Sequence, residues 1–227
     1  MAFNFVVKTD VAYIKDQSGS KFIGDSGVYD VTIKFASINQ SKEGFISIDF
    51  NVDYEGNDQT FYGLGIFNKD GSENFGAKIF NKLCILAGIQ GKPATEVQTR
   101  TITTSQGTED REFEVISDLC DFPVRIWVQR IYSKYNGEIK AKFDIKGFFD
   151  EDTGASAEEL INGAEKGMQL VKVLEKYAHN VTYQDGLTAD DIEDWKANKK
   201  TKSTPAPAAN KPAINPFAKP ATAFPTK

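Results

Sequence analysis

Histidine and cysteine are nearly missing from this 227-residue chain, which has one of the first and two of the second. A metal centre, or a nucleophile activated by an imidazole, needs such side chains in clusters. Cys84 and Cys120 stand far apart with no C-x-x-C, so both read as buried thiols, and the lone His179 reads as structural, in the last turn of a helix. G-x-S-x-G and G-x-x-x-x-G-K-[ST] are absent. GIQGK at 88–92 resembles a phosphate loop only superficially, and Gly63-x-Gly65 lacks the rest of a dinucleotide fingerprint. Asp49 and Asp53 alternate on a strand, a pattern that suits solvation better than Mg²⁺. The expectation is a protein that is not an enzyme and has no metal and no cofactor.

No window approaches about 18 continuous apolar residues, and the opening MAFNFVVKTD has no basic segment followed by an apolar one. These absences predict no membrane partner and a chain kept in a reducing cytosol. Acidic side chains are also absent after Asp194.

What is present is the composition of a folded domain, 40% hydrophobic and 26% charged, at a length that suits one core with appendages. Net charge is −5, which argues against a uniformly basic coat and leaves local patches open. Three stretches alternate with the period of a half-buried strand. In VYDVTIKFASI, Tyr29, Val31, Ile33 and Phe35 face inward; in FISIDFNVDYE, Ile46, Ile48, Phe50, Val52 and Tyr54 do. In QTFYGLGIF the inward set is Tyr62, Leu64 and Ile66, with Phe61, Gly63, Gly65 and Phe67 on the other side. A helix follows, with Phe75, Ile79, Leu83 and Leu86 on one face and a stop at Gly88. Residues 89–121 read as a polar, Thr-rich insertion with a small hairpin around Ser105, Gln106 and Gly107.

Residues 122–149, FPVRIWVQRIYSKYNGEIKAKFDIKGFF, then read as two strands joined at Asn136-Gly137, a pair suited to the positive φ angles of a type I′ turn. Counting outward from that turn pairs Trp127 with Lys146 and Arg125 with Phe148 on the outer face, and Ile126 with Gly147 and Val128 with Ile145 on the inner one. Three strands, a helix and two strands is the order of the OB-fold, a five-stranded Greek-key barrel. Beyond it, Ser156 and Glu159 form a capping box, and Leu160, Ala164, Met168, Val171, Leu174 and Ala178 trace the face of one helix. The expected organisation is an OB-fold domain with a C-terminal helix over 1–180, an acidic connector over 181–200, and a disordered Pro/Ala/Lys tail over 201–227.

The 122–149 hairpin holds six basic side chains against two acidic ones in a chain of net negative charge. Cations interleaved with rings are the chemistry of a single-strand binder, whose groove follows phosphates while aromatics stack on bases. Trp127 and Tyr132, with Phe148 and Tyr135 beside them, are the candidate stacking residues. Arg125, Arg130, Lys134, Lys140, Lys142 and Lys146 are the candidate phosphate contacts. The groove would be completed by Lys42 in the loop between strands one and two and by Gly63 and Gly65, whose missing side chains admit close approach; Phe61 and Phe67 are weaker candidates that also suit a core. In the competing reading the rings are covered by neighbouring elements and the lysines only solubilise an edge hairpin.

MAFNF, GVYDVTIKFASINQSKEGFISIDFNV, GLGIFNKDGSENFGAKIFNKLCILAG and the basic-aromatic hairpin before a C-terminal helix and tail together resemble the single-stranded DNA-binding proteins of tailed bacteriophages, over residues 1–180. The resemblance implies an OB-fold that coats single-stranded DNA with little sequence preference during phage replication, recombination or repair, in the cytoplasm of an infected bacterium. Many such proteins end in an acidic tail that recruits replication partners. This chain ends INPFAKPATAFPTK, leaving Phe217 and Phe224 as the candidate anchors for replication or recombination proteins and Asp190, Asp191, Glu193 and Asp194 as the nearest acidic run. The alternative class is a β-rich structural or adaptor module, for example of a virion, with no nucleic-acid role.

Overall fold

Alternating apolar and polar residues build an antiparallel meander from β1 (Gly27–Gln40), β2 (Ile46–Tyr54) and β3 (Asn57–Phe67). The computed structural model describes residues 22–104 and 107–203; the opening MAFNF, Ser105 and Gln106, and all of the expected 201–227 tail beyond Ser203, with Phe217 and Phe224, lie outside the described residues. Helix α1 (Phe75–Leu86) follows β3 and packs tightly on it. Gly76 is what permits this, because a Cβ there would sit 2.3 Å from the Gly65 carbonyl oxygen.

The polar insertion is more regular than its composition implied. It forms a long hairpin, β4 (Thr95–Thr104) and β5 (Gly107–Ile116), then a 3-10 turn at Ser117–Leu119. The next hairpin is β6 (Phe122–Tyr135) and β7 (Glu138–Phe149), with Asn136 and Gly137 at φ 51° and 78°, as a type I′ turn requires. Short helices α2 (Ala157–Asn162) and α3 (Met168–Lys176) and strand β8 (Val181–Tyr183) complete the first compact unit, which runs to Leu187. β8 pairs with Arg130–Tyr132 of β6, so residues 181–183 belong to the sheet and not to a connector. The second unit contains α4 (Ala189–Ser203), whose first turn holds Asp190 and Asp191. Thr188 and Asp191 exchange hydrogen bonds at its start, and acidic residues there suit the positive end of the helix dipole.

The fold is mainly β, with eight strands in one sheet, antiparallel except for β8 on β6. β1 is its hub. Gly27–Ile33 pairs with β6, Ser37 and Ile38 pair with β5, and the opposite edge pairs with β2. The expected closed five-stranded barrel is not formed: among the described residues β3 pairs only with β2 and β7 only with β6, so the sheet is open. Side chains stand in the seam where a closing ladder would run. Phe61 meets Phe143 edge-on at 5.5 Å, and α1 packs on both β3 and β7.

The main core gathers Val31, Ile33, Phe50, Val52, Leu83, Val124 and Ile126, all almost fully buried. A second, smaller cluster joins Phe149, Leu170, Val173 and Ala178, with Val28 and Trp127 against it. The expected single helix over 156–178 is broken at Gly163 and Gly167, both at positive φ. The break resets the helical phase: Leu170 and Val173 point inward, and Leu160, Met168, Val171 and Leu174 are exposed. The capping box is present and does more than the motif promised. Buried Glu159 accepts N–H bonds from Ser156, Gly167 and Gln169, closing α2 and tying the start of α3 to it. Burial raises its carboxyl pKa, yet these hydrogen bonds outweigh it and hold the carboxyl below the usual range.

Candidate nucleic-acid interface

The register of the basic hairpin runs as expected from Tyr135 and Glu138 down to Val128 and Ile145. There a β-bulge at Lys146 adds one residue to β7, and Trp127 pairs with Gly147, Ile126 with Phe148 and Arg125 with Phe149. An extra residue exchanges the two faces of a strand beyond it. Phe148 therefore turns into the main core, 5.5 Å from Phe50, while Phe149 turns to the second cluster. The expectation of Phe148 as a stacking residue is corrected by that one insertion.

Trp127 and Tyr132 are corrected by neighbours that sequence periodicity does not reveal. Trp127 is half-buried against the cluster under α3, with its indole Nε1 enclosed. Tyr132 is 3% exposed and stacks on Tyr183 of β8 at 6.0 Å. β8 lines the edge of the hairpin at Arg130–Tyr132. Phe61 is likewise core, at 2% exposure. A bulge in β3 sets Tyr62 and Gly63 opposite Asp49, with Gly63 at φ 75°, so Phe61 and Leu64 both face inward and Tyr62 turns out to 74% exposure. Asp49 accepts the Gly63 N–H at 2.7 Å; burial pushes its carboxyl up, against this bond and one from Asn39. With Asp53 accepting the Gly56 N–H, both carboxylates considered for Mg²⁺ serve backbone turns. Burial, reinforced by the charge of Asp118, pushes the Cys84 thiol up to about 11, in keeping with a buried structural cysteine.

The cations divide into two groups. Arg125 pairs with Asp30 at 2.8 Å, Lys146 with Asp144 at 2.6 Å and Lys140 with Glu138. Arg130 is half-buried with its guanidinium 4.5 Å from the Phe143 ring centre and 5.7 Å from that of Tyr132. Lys134 and Lys142 are exposed, and no ion pair holds them among the described residues. Surface pairs of this kind contribute about 0–1 kcal/mol and are screened by salt, so the exposed Lys140 remains exchangeable toward a phosphate. Tyr135, at 67% exposure, stands beside these lysines next to the turn.

The second half of the expected groove is at the seam. An open groove there is lined by Phe45, Gly63, Gly65, Asn74 and Phe75, with Asp144 of β7 on the far side. Phe45 follows the loop carrying exposed Lys42. Its ring covers Gly65, where a Cβ would lie 2.8 Å from Phe45 Cζ, so Gly65 accommodates a ring of this chain. Gly63 has nothing within 4 Å of its Cβ position and stays open. Phe75, read as part of the buried face of α1, is 70% exposed at the groove, and Phe67 is exposed at the end of β3. Strict alternation misplaced Tyr62 and helical spacing misplaced Phe75, while Phe45, Asn74 and Asp144 were not singled out from the sequence. A glycine inside a strand, as at 63, marks a bulge and would have warned of the change of face at Tyr62.

Neither a protein-family model nor a curated protein sequence matches the chain.

Proposed function

We propose that this protein binds single-stranded DNA with little sequence preference, coating and protecting it during phage replication, recombination or repair. The observation that carries the reading is the open seam between β3 and β7, where the rings of Phe45 and Phe75 flank a groove with a bare backbone position at Gly63. Flat apolar faces at a backbone-level floor suit unstacked bases, and stacking contributes roughly 1–3 kcal/mol per base whatever its identity. Tyr62 and Tyr135 add open rings. Lys134, Lys140, Lys142 and Lys42 supply phosphate contacts around it, and the paired Arg125 and Lys146 act chiefly within the protein. Trp127, Tyr132, Phe148 and Phe61 support the sheet. An open sheet serves this role without barrel closure, because the strand lies across exposed rings and not inside a pore.

The buried rings and paired cations also favour the second reading, an adaptor module without nucleic acid, and salt separates the two. Anisotropy of a labelled oligo(dT) titrated with the full chain should show binding that weakens steeply between about 50 and 200 mM salt. Binding that is absent at the lower salt, or unchanged when Lys134, Lys140 and Lys142 are reversed to Glu, overturns the nucleic-acid reading.

A further inference from the structure

Asp144 is the odd residue of the seam. A carboxylate lining a groove meant for a polyanion opposes phosphates, and no lysine or arginine is among the side chains that line this groove with it. Phosphates therefore run outside, along the hairpin lysines, and whatever enters must be neutral, flat and able to meet a carboxylate. A nucleobase has these properties. Asp144 sits on β7, opposite Gln129 of β6, and Lys146 donates to its Oδ2 at 2.6 Å. That pairing offsets the charge and holds the side chain in place, while Oδ1 receives no hydrogen bond from the described residues. The start of α1, at Phe75 and Gly76 in the same groove, places the positive end of a helix dipole nearby, which further suits an ionised carboxylate.

Resting on the nucleic-acid reading above, we infer that the seam groove takes one base at a time and that Asp144 selects bases with an exocyclic amino group. A carboxylate only accepts hydrogen bonds. The cytosine N4 amino group donates one, whereas thymine presents a carbonyl oxygen in the same place and keeps only its ring N3–H as a donor. Coating is then tolerant of sequence but not blind to it: cytosine-rich strands bind more tightly than thymine-rich ones of equal length and charge.

The test compares short oligo(dC) and oligo(dT), about ten nucleotides long, on the full chain at fixed salt and neutral pH. Oligo(dC) should bind about fivefold more tightly, the low end of the discrimination given by a base-specific hydrogen-bond pair. Asp144→Asn should tighten both oligonucleotides by removing a negative charge, so the ratio is the readout, and it should fall to one or below because an amide also donates to thymine. Oligo(N4,N4-dimethyl-dC) needs no protein variant; it keeps the ring and the charge but lacks both donors, and it should bind like oligo(dT). Equal binding of dC and dT, a ratio unchanged in Asp144→Asn, or dimethylcytosine binding like cytosine overturns the base selection while leaving strand binding intact. Failure to bind any of the three overturns strand binding itself and the selection with it.

Discussion

Two long hairpins hang from the same strand and are opposites in chemistry. β6–β7 meets the first half of β1 and β4–β5 the second. The residues of β6–β7 hold six basic side chains and two acidic ones; those from Thr95 to Ile116 hold five acidic and two basic. β6–β7 is sealed on both faces near its base, by the main core on one side and the Phe149 cluster on the other. In β5, only Val115 and Ile116 at the base are buried, and most residues beyond are exposed. Toward the end of β5 the Phe113 ring lies 5.3 Å from that of Phe35, and the Arg100 guanidinium lies over the Phe35 ring. The modest overall charge therefore hides two ribbons of opposite sign, one braced and one open. On the proposed nucleic-acid reading, a flexible polyanion would be drawn to the braced ribbon and turned away from the other.

Bracing is where the largest effects are expected. Trp127→Ala removes the indole from under α3 and should lower unfolding free energy by about 3 kcal/mol, the cost of emptying a large aromatic site, as read in a urea melt; Trp127→Phe should recover much of it. A Trp127→Ala chain that melts like the parent would show that the cluster does not support the hairpin. Glu159→Ala leaves three N–H groups at the α2 and α3 ends without their acceptor and should cost about 2–3 kcal/mol. Its pH signature has a fixed sign. The folded carboxyl lies below its unfolded value, so its contribution is complete above the unfolded pKa and is lost as pH falls through the folded one. The Glu159→Ala deficit should shrink in melts at progressively acid pH, and a deficit that is constant with pH would assign the loss to packing instead.

Charge comes next. Reversing Lys134, Lys140 and Lys142 to Glu should weaken oligo(dT) binding roughly hundredfold at low salt and flatten its salt slope, since three phosphate contacts are lost. Tyr62→Ala and Tyr135→Ala should each cost roughly tenfold in affinity, the low side of one stacked base, with unchanged melting because both rings are exposed. A Tyr62 variant that binds like the parent would place the strand away from β3.

How far these ribbons were legible follows from one local feature. Alternation correctly set the faces of β2 and of the outer hairpin, where pairing is regular from Tyr135 and Glu138 to Val128 and Ile145. It failed just past three bulges. At Lys34 a shift turns Phe35 away from the Ile33 side toward Phe113, at Gly63 another brings in Phe61, and at Lys146 a third brings in Phe148. A bulge costs one residue and reverses every face beyond it, and hydrophobicity alone does not mark it. Burial by distant segments was the other gap. Nothing in YSKYNG foretells that Tyr183, some fifty residues on, will lie over Tyr132. Exposed lysines near a turn, by contrast, need no tertiary partner to be read correctly, and Lys134 and Lys142 stand open as expected.

The smallest expected effect tests the open ribbon. Glu109, Asp110 and Glu112 are exposed on β5, and their backbone pairs lie on β4, which forms the free edge of the sheet. Changing all three to Gln should leave the melting temperature within a few degrees, as surface substitutions generally stay within about 0.5 kcal/mol each. Oligo(dT) affinity should rise only two- to threefold at low salt, an order-of-magnitude expectation for repulsion acting beyond a Debye length of about 10 Å at 0.1 M. The gain should vanish at high salt, since a screened repulsion leaves nothing to remove. A gain that persists at high salt would mean that the ribbon touches the strand, and the division into one attracting and one repelling hairpin would give way to a single path crossing both. A loss of affinity would go further, because acidic side chains would then be contributing contacts and the sign of charge would no longer predict where the strand lies.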